Sequence, residues 1–269
     1  MQLIKILIFL LPSFLVSNVF ANSVKKSTVL ICYGKLKPET IKGYRFVILE
    51  SKYYLPSDIR VIKANNDKVF AYISLGEVNA NAPHYKELKE HTLGKNHIWD
   101  SYYLDLKSEK TKQTLIGIID KTLAIGYDGL FLDNIDNFST HGPQKDQKEE
   151  LIKLLKTIKE KFPNKEFIQN AGIDIIGETS SFVSAVAIES VASNYTFKNK
   201  SYKLRNSNEY NAYMSRLKTV YETYKMPIIL IEYADSINLC NKIEERIKPT
   251  KFDYFIGSID LQKVPDFKK

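Results

Sequence analysis

Acid and amide side chains recur in this sequence at one kind of place, directly after short apolar, β-branched runs. Ser74-Leu75-Gly76-Glu77 follows one run, Asp133-Asn134-Ile135-Asp136-Asn137 a second, Gln169-Asn170 a third, Glu189 a fourth, Glu232-Tyr233 a fifth and Ser258-Ile259-Asp260 a sixth. Carboxylates grouped in this way suit a reaction in which one acid gives a proton to a leaving oxygen while another supports positive charge at carbon, the requirement of glycosidic-bond cleavage. Asp133 and Glu189 are the pair we select. Glu189 directly continues the apolar run Val186-Ala187-Ile188, which holds its carboxylate at a strand end rather than out in solvent.

Each acid also has a plainer reading. Asp and Asn cap helices and open strand-to-helix turns, so Asp136 and Asn137 serve equally well as caps, and Asp260 as the close of a last strand. Glu is a poorer cap, which favours function for Glu189. Metal chemistry is a rival use of such a rim, but His84, His91, His97 and His141 show neither H-x-x-x-H nor H-E-x-x-H spacing. Asp133-Asn134-Ile135-Asp136 lacks the alternating oxygens and central Gly of a calcium loop. No metal or other cofactor is expected, and without G-x-S-x-G there is no serine elbow.

The elements that must carry these groups alternate. Strands are predicted over residues 28–33, 46–50, 69–75, 129–133, 166–170, 183–189, 227–233 and 254–258. Helices are predicted over 37–43, 57–65, 108–125, 144–161, 208–224 and 239–246, with weaker turns at 85–89 and 173–178. Strand-helix alternation implies a parallel sheet covered by helices, and eight strands favour a closed (β/α)8 TIM barrel over an open doubly wound sheet. The first strand also runs into Tyr33-Gly34-Lys35-Leu36 with no G-x-G-x-x-G. In a barrel the strand ends form one rim, and the fourth and sixth strands are not neighbours, so Asp133 and Glu189 face each other across the mouth. The gap between them, short in retaining enzymes and long in inverting ones, is not legible in the sequence. Trp99 and Tyr233 lie in or near strand-end loops where rings stack on sugars, although Tyr and Trp fill cores as readily.

The chain ends and bulk properties set the context. Residues 1–21, with Lys5, an apolar run from Ile6 to Val16 and the exit Val19-Phe20-Ala21, read as a signal peptide, leaving one domain over 22–269 in a secreted or periplasmic protein. No later segment has the roughly 18 continuous apolar residues of a membrane span, so no stable membrane insertion is expected. The charge is +8, but the lysines are scattered and no nucleic-acid-binding signature is present. That argues for a solvated surface and against nucleic acid as partner. Cys32 and Cys240 allow at most one intramolecular bridge, and buried thiols are the preferred reading.

The stretch Phe70-Ala71-Tyr72-Ile73-Ser74-Leu75-Gly76-Glu77, then Trp99, Tyr103-Leu104-Asp105 and Gly126-Tyr127-Asp128-Gly129-Leu130-Phe131-Leu132-Asp133-Asn134-Ile135-Asp136, resembles glycoside hydrolase family 114, named for endo-α-1,4-polygalactosaminidase. The resemblance implies a TIM barrel and cleavage of α-1,4-linked galactosamine-containing polymers by a retaining route. It implies Asp133 as nucleophile or stabiliser and Glu189 as acid/base, with Glu77, Asn134, Asp136, Asn170 and Glu232 as subsite residues. The first strand, Cys32-Tyr33-Gly34-Lys35-Leu36, departs from the Trp-rich start of better-studied members. The leading expectation is thus an exported, monomeric hydrolase of an amino-sugar polysaccharide, ahead of a non-catalytic carbohydrate-binding barrel and of an anionic-polymer binder working through its lysines.

Overall fold

A computed structural model describes residues 27–267. The predicted signal segment 1–21 lies outside the described residues, as do 22–26 and 268–269 of the expected domain. The strands, in chain order, are β1 (Val29–Cys32), β2 (Phe46–Leu49), β3 (Lys68–Ser74), β4 (Glu77–Asn79), β5 (Thr92–Asn96), β6 (Ser101–Leu104) and β7 (Gly129–Asp133). They continue with β8 (Glu166–Asn170), β9 (Ala185–Glu189), β10 (Ser193–Thr196), β11 (Ser201–Leu204), β12 (Ile228–Tyr233) and β13 (Asp253–Gly257). The helices are α1 (Pro56–Lys63), α2 (Tyr85–Leu88), α3 (Glu109–Ala124), α4 (Lys148–Lys161), α5 (Ile176–Thr179), α6 (Ser207–Tyr224) and α7 (Ile237–Ile247).

Eight strands form one parallel sheet in the order β1-β2-β3-β7-β8-β9-β12-β13. The last strand comes round beside the first, where Tyr254 N donates to Thr28 Oγ1 at 3.3 Å and Tyr33 N to Leu261 O at 2.7 Å, giving a nearly closed barrel. All eight predicted strands are present, with ends displaced by no more than two residues. Their apolar runs are continuous because both faces are covered, by the barrel interior on one side and helices on the other. Helix α4 shows the matching pattern: Leu151, Leu154, Leu155 and Ile158 are buried at helical spacing while its lysines face out. Ser108, Asn206 and Ser236 cap α3, α6 and α7 by accepting from the backbone N–H three residues on.

Two features depart from the sequence expectation. The helix predicted over 37–43 is a single 3-10 turn, Pro38–Thr40, opened by its proline. Two small antiparallel units, β4-β6-β5 and the β10-β11 hairpin, rise from the rim. Their strands are short, mixed in polarity and partly exposed, so no apolar alternation announces them. Cys32 and Cys240 are both buried free thiols.

The rim itself is shaped by backbone conformation. Strands β7, β8 and β9 are consecutive in the sheet and end on Asp133, Asn170 and Glu189. Each of these is followed at once by a non-glycine residue in the left-handed region: Asn134 at φ 61°, Ala171 at φ 61° and Ser190 at φ 55°. Such conformations cost on the order of 1 kcal/mol each and persist only where the surroundings enforce them. Here they turn the chain sharply away and leave the last side chain of each strand standing at the mouth. Gly129 lets β7 and β8 approach, since a Cβ there would sit 1.7 Å from Glu166 O.

Candidate active site

Asn170 is the centre of the mouth. It is 3% exposed, and its Nδ2 donates to Asp133 Oδ1 at 2.8 Å and to Glu189 Oε1 at 2.7 Å. Two oxygens held by one nitrogen can be no farther apart than the two bonds laid end to end, 5.5 Å. Each carboxylate has a phenol on its other oxygen. Tyr72 Oη donates to Asp133 Oδ2 at 2.7 Å and Tyr233 Oη to Glu189 Oε2 at 2.5 Å. Tyr33 packs its ring 4.5 Å from that of Tyr72. Burial, with the nearby carboxylates, holds the Tyr33, Tyr72 and Tyr233 hydroxyls well above the usual tyrosine range, so they remain donors.

Glu189 stands on the cleft floor, open to it on one side. Being walled in by protein pushes its carboxyl above the ordinary range, and the Asp133 charge adds to the rise, against the hydrogen bonds from Tyr233 and Asn170. Asp133 accepts from two neutral donors, an arrangement suited to a carboxylate. The two acids are thus held at contact range in different environments, the condition for one to act as a proton donor and the other as its charged partner. Among the described residues, no group of three or more His, Cys, Asp or Glu is placed to hold a metal ion.

Residues 30–268 match the model of glycoside-hydrolase family GH114. The chain belongs to glycoside hydrolase family 114. It is therefore a glycoside hydrolase. Its fold is similar to the glycoside hydrolase domain of PelA from Pseudomonas aeruginosa, at TM-score 0.78 and 22% identity over 89% of this chain and 98% of that one. It is also similar to Aspergillus fumigatus Ega3, solved in complex with galactosamine, at TM-score 0.68 and 17% identity over 89% and 93% of the two chains. A more distant likeness is the α-galactosidase TtGalA from Thermus thermophilus, at TM-score 0.55 and 12% identity, covering 86% of this chain and 58% of that one. No protein of curated function matches.

Around the family 114 core the other predicted residues divide. Asp136 stands in the cleft with its side chain open to solvent, and desolvation by the surrounding cleft walls, with the Asp133 charge, pushes it up to about 6. Trp99 is half exposed at the cleft edge, on the turn between β5 and β6 that Asn79 Nδ2 holds through the Asp100 carbonyl at 3.1 Å. Asn134 lines the cleft but spends its Oδ1 on the Ser74 hydroxyl, in the left-handed turn. Glu77 also lines the cleft, yet its carboxylate accepts from Ser101 Oγ, from Asn137 Nδ2 at 2.9 Å and from Asn96 Nδ2 at 3.2 Å. It ties the small sheet to the turn after β7.

Glu232 and Tyr233 require correction. Neighbours on a strand point to opposite faces, so they cannot both reach the mouth. Tyr233 points inward, and at 2% exposure it orients Glu189 through its hydroxyl rather than offering a ring to sugar. Glu232 is fully buried on the outer face and is not a subsite residue. Its carboxylate gathers the backbone N–H groups of Val191, Ala192 and Ser193 at 2.7–3.1 Å and the Ser193 hydroxyl at 2.6 Å. It thereby anchors the segment that leaves Glu189. Burial pushes Glu232 up to about 7 against those donors. Relative to an unfolded chain titrating near 4.5, its contribution to stability declines as pH rises from about 4.5 to about 7. A cleft residue not anticipated is Glu50, directly after β2, whose carboxyl is raised by burial.

Two outcomes are expected. Glu232→Ala leaves three buried N–H groups without an acceptor and lowers stability by about 3 kcal/mol, seen as a drop in the denaturant midpoint. Tyr233→Phe removes a hydrogen bond that favours the charged form of Glu189. With Glu189 as the proton donor expected from the sequence, the alkaline limb of the pH–rate profile then moves to higher pH, while thermal stability stays near wild type.

Proposed function

We propose that this chain is an exported, endo-acting family 114 hydrolase that cleaves an amino-sugar polysaccharide of the α-1,4-galactosaminide kind with retention of configuration. The observation that carries the mechanism is the 5.5 Å ceiling between the Asp133 and Glu189 oxygens. Retaining glycosidases hold their carboxyl groups about 5–5.5 Å apart, whereas inverting ones need about 6.5–9.5 Å to admit a water. In the first step Glu189 gives its proton to the glycosidic oxygen as Asp133 attacks the anomeric carbon from the opposite face. The leaving sugar departs as an alcohol, and a glycosyl ester to Asp133 remains. Glu189, now a carboxylate, takes a proton from water, whose oxygen displaces Asp133 and restores the starting configuration.

Charge supports the amino sugar. The chain carries +8 overall, yet its cleft brings together Glu50, Asp133, Asp136, Glu189 and Asp260. An acidic mouth in a basic protein favours a cationic residue at the point of cleavage. Ega3, whose fold is similar, was solved with galactosamine bound. The signal-like start at residues 1–21 supports export, which places the enzyme where exopolysaccharide is found.

Newly released reducing ends, followed by proton NMR during digestion of a partly acetylated α-1,4-galactosamine polymer, are expected to appear first as the α-anomer. Glu189→Gln and Asp133→Asn each reduce the rate by about 100-fold or more. Initial release of the β-anomer would show inversion and overturn the mechanism, and full activity in either variant would overturn its residue assignment.

A further inference from the structure

The two rim hairpins meet through aromatic rings that the catalytic core does not use. Trp99, on the β5-β6 turn, packs edge to face on Phe197, just beyond β10, with centroids 5.2 Å apart and planes at 88°. Phe197 meets Tyr195 at 5.0 Å and 90°, and Tyr195 meets its cross-strand partner Tyr202 at 4.7 Å. The row is fixed at its far end, where Tyr202 Oη accepts from Ile259 N at 3.2 Å. Trp99 is 50% exposed and Phe197 46%, so two large apolar rings face outward at neighbouring hairpin tips. Side chains of this size held in water at a rim, on elements braced against the barrel, mark a binding surface.

Resting on the hydrolase reading, we infer that Trp99, Phe197, Tyr195 and Tyr202 form a ridge that carries uncharged sugar residues of the same polysaccharide chain beyond the cleft. Continuity with the cleft selects this occupant, because Trp99 belongs both to the cleft wall and to the ridge. A chain leaving the acids along that wall runs directly onto Phe197. The apolar faces of sugar rings stack on such side chains. Charge refines the class. Lys198, Lys200 and Lys203 are exposed on the β10-β11 hairpin, whereas Lys95 across the gap is paired with Asp100 at 2.5 Å. These hairpin lysines, which form no ion pair among the described residues, repel ammonium-bearing residues, while the acidic cleft attracts them. The ridge therefore selects N-acylated residues and the cleft a free amine, so the two surfaces together read a mixed chain.

The test uses Phe197→Ala, which lies outside the cleft and removes an exposed ring, with Phe197→Trp as the conservative control. Retention of each protein in gels containing a largely N-acetylated α-1,4-galactosamine polymer is measured, together with cleavage of a short soluble oligomer. Phe197→Ala is expected to lose about tenfold in polymer affinity, the equivalent of one aromatic stacking contact. Phe197→Trp keeps the affinity, and oligomer cleavage is unchanged in both. Unchanged retention of Phe197→Ala would overturn the proposal. So would sedimentation with phosphatidylserine-containing vesicles that depends on Phe197, or a dimer that the substitution dissolves, since each assigns the ring to another occupant. A wild-type protein that is retained through Phe197 but cleaves no polymer would refute the hydrolase reading's substrate and leave the ridge standing.

Discussion

A single amide nitrogen has two hydrogens, and in this protein Asn170 gives one to each of the two acids. That constraint sets the working distance of the site. It requires Asn170 to stand between Asp133 and Glu189, which the sheet provides by placing β8 between β7 and β9. It also requires each side chain to be the last of its strand, which the left-handed residues Asn134, Ala171 and Ser190 enforce by turning the chain away immediately afterwards. Tyr72 and Tyr233 then fix the outer oxygens. The strain at the rim and the close approach of β7 and β8 at Gly129 are parts of one arrangement.

The arrangement has an electrostatic consequence. Two full negative charges 5.5 Å apart repel by on the order of 3 kcal/mol at an effective dielectric of about 20. Neutral donors offset part of this, but the pair is most stable with one proton between the two acids. The protein around Glu189 and the Asp133 charge both raise its carboxyl above the ordinary range, the direction that suits a proton donor. The proposed division of roles, Glu189 as acid and Asp133 as nucleophile, thus rests on packing rather than on residue type.

Much of this was readable in the sequence, for a physical reason. Asp133 and Glu189 each terminate a continuous apolar run and Asn170 follows Phe167-Ile168 with one amide, Gln169, between, and in a barrel covered on both faces such runs are strands whose ends form the mouth. Glu50 carries the same signal after Phe46–Leu49 and belongs with them. Glu232 carries a similar signal but a different fate, because burial on both faces hides the period-two phase that separates inward from outward residues. Only the alternation of Ile231, Glu232 and Tyr233 against a known inward position resolves it. The rim hairpins were not legible, since β5 and β11 are short and mixed in polarity and the ring contact that joins the two units, Trp99 on Phe197, links segments about a hundred residues apart in the chain.

The most direct test of the central constraint is the turnover number of Asn170→Asp, which preserves shape while replacing the shared donor with a third acid. The account predicts a loss of about 100-fold or more in kcat and a lowered thermal midpoint, with chain compactness at the assay temperature close to wild type. A variant that turns over at the wild-type rate would show that the spacing of Asp133 and Glu189 does not depend on Asn170, and would contradict the account.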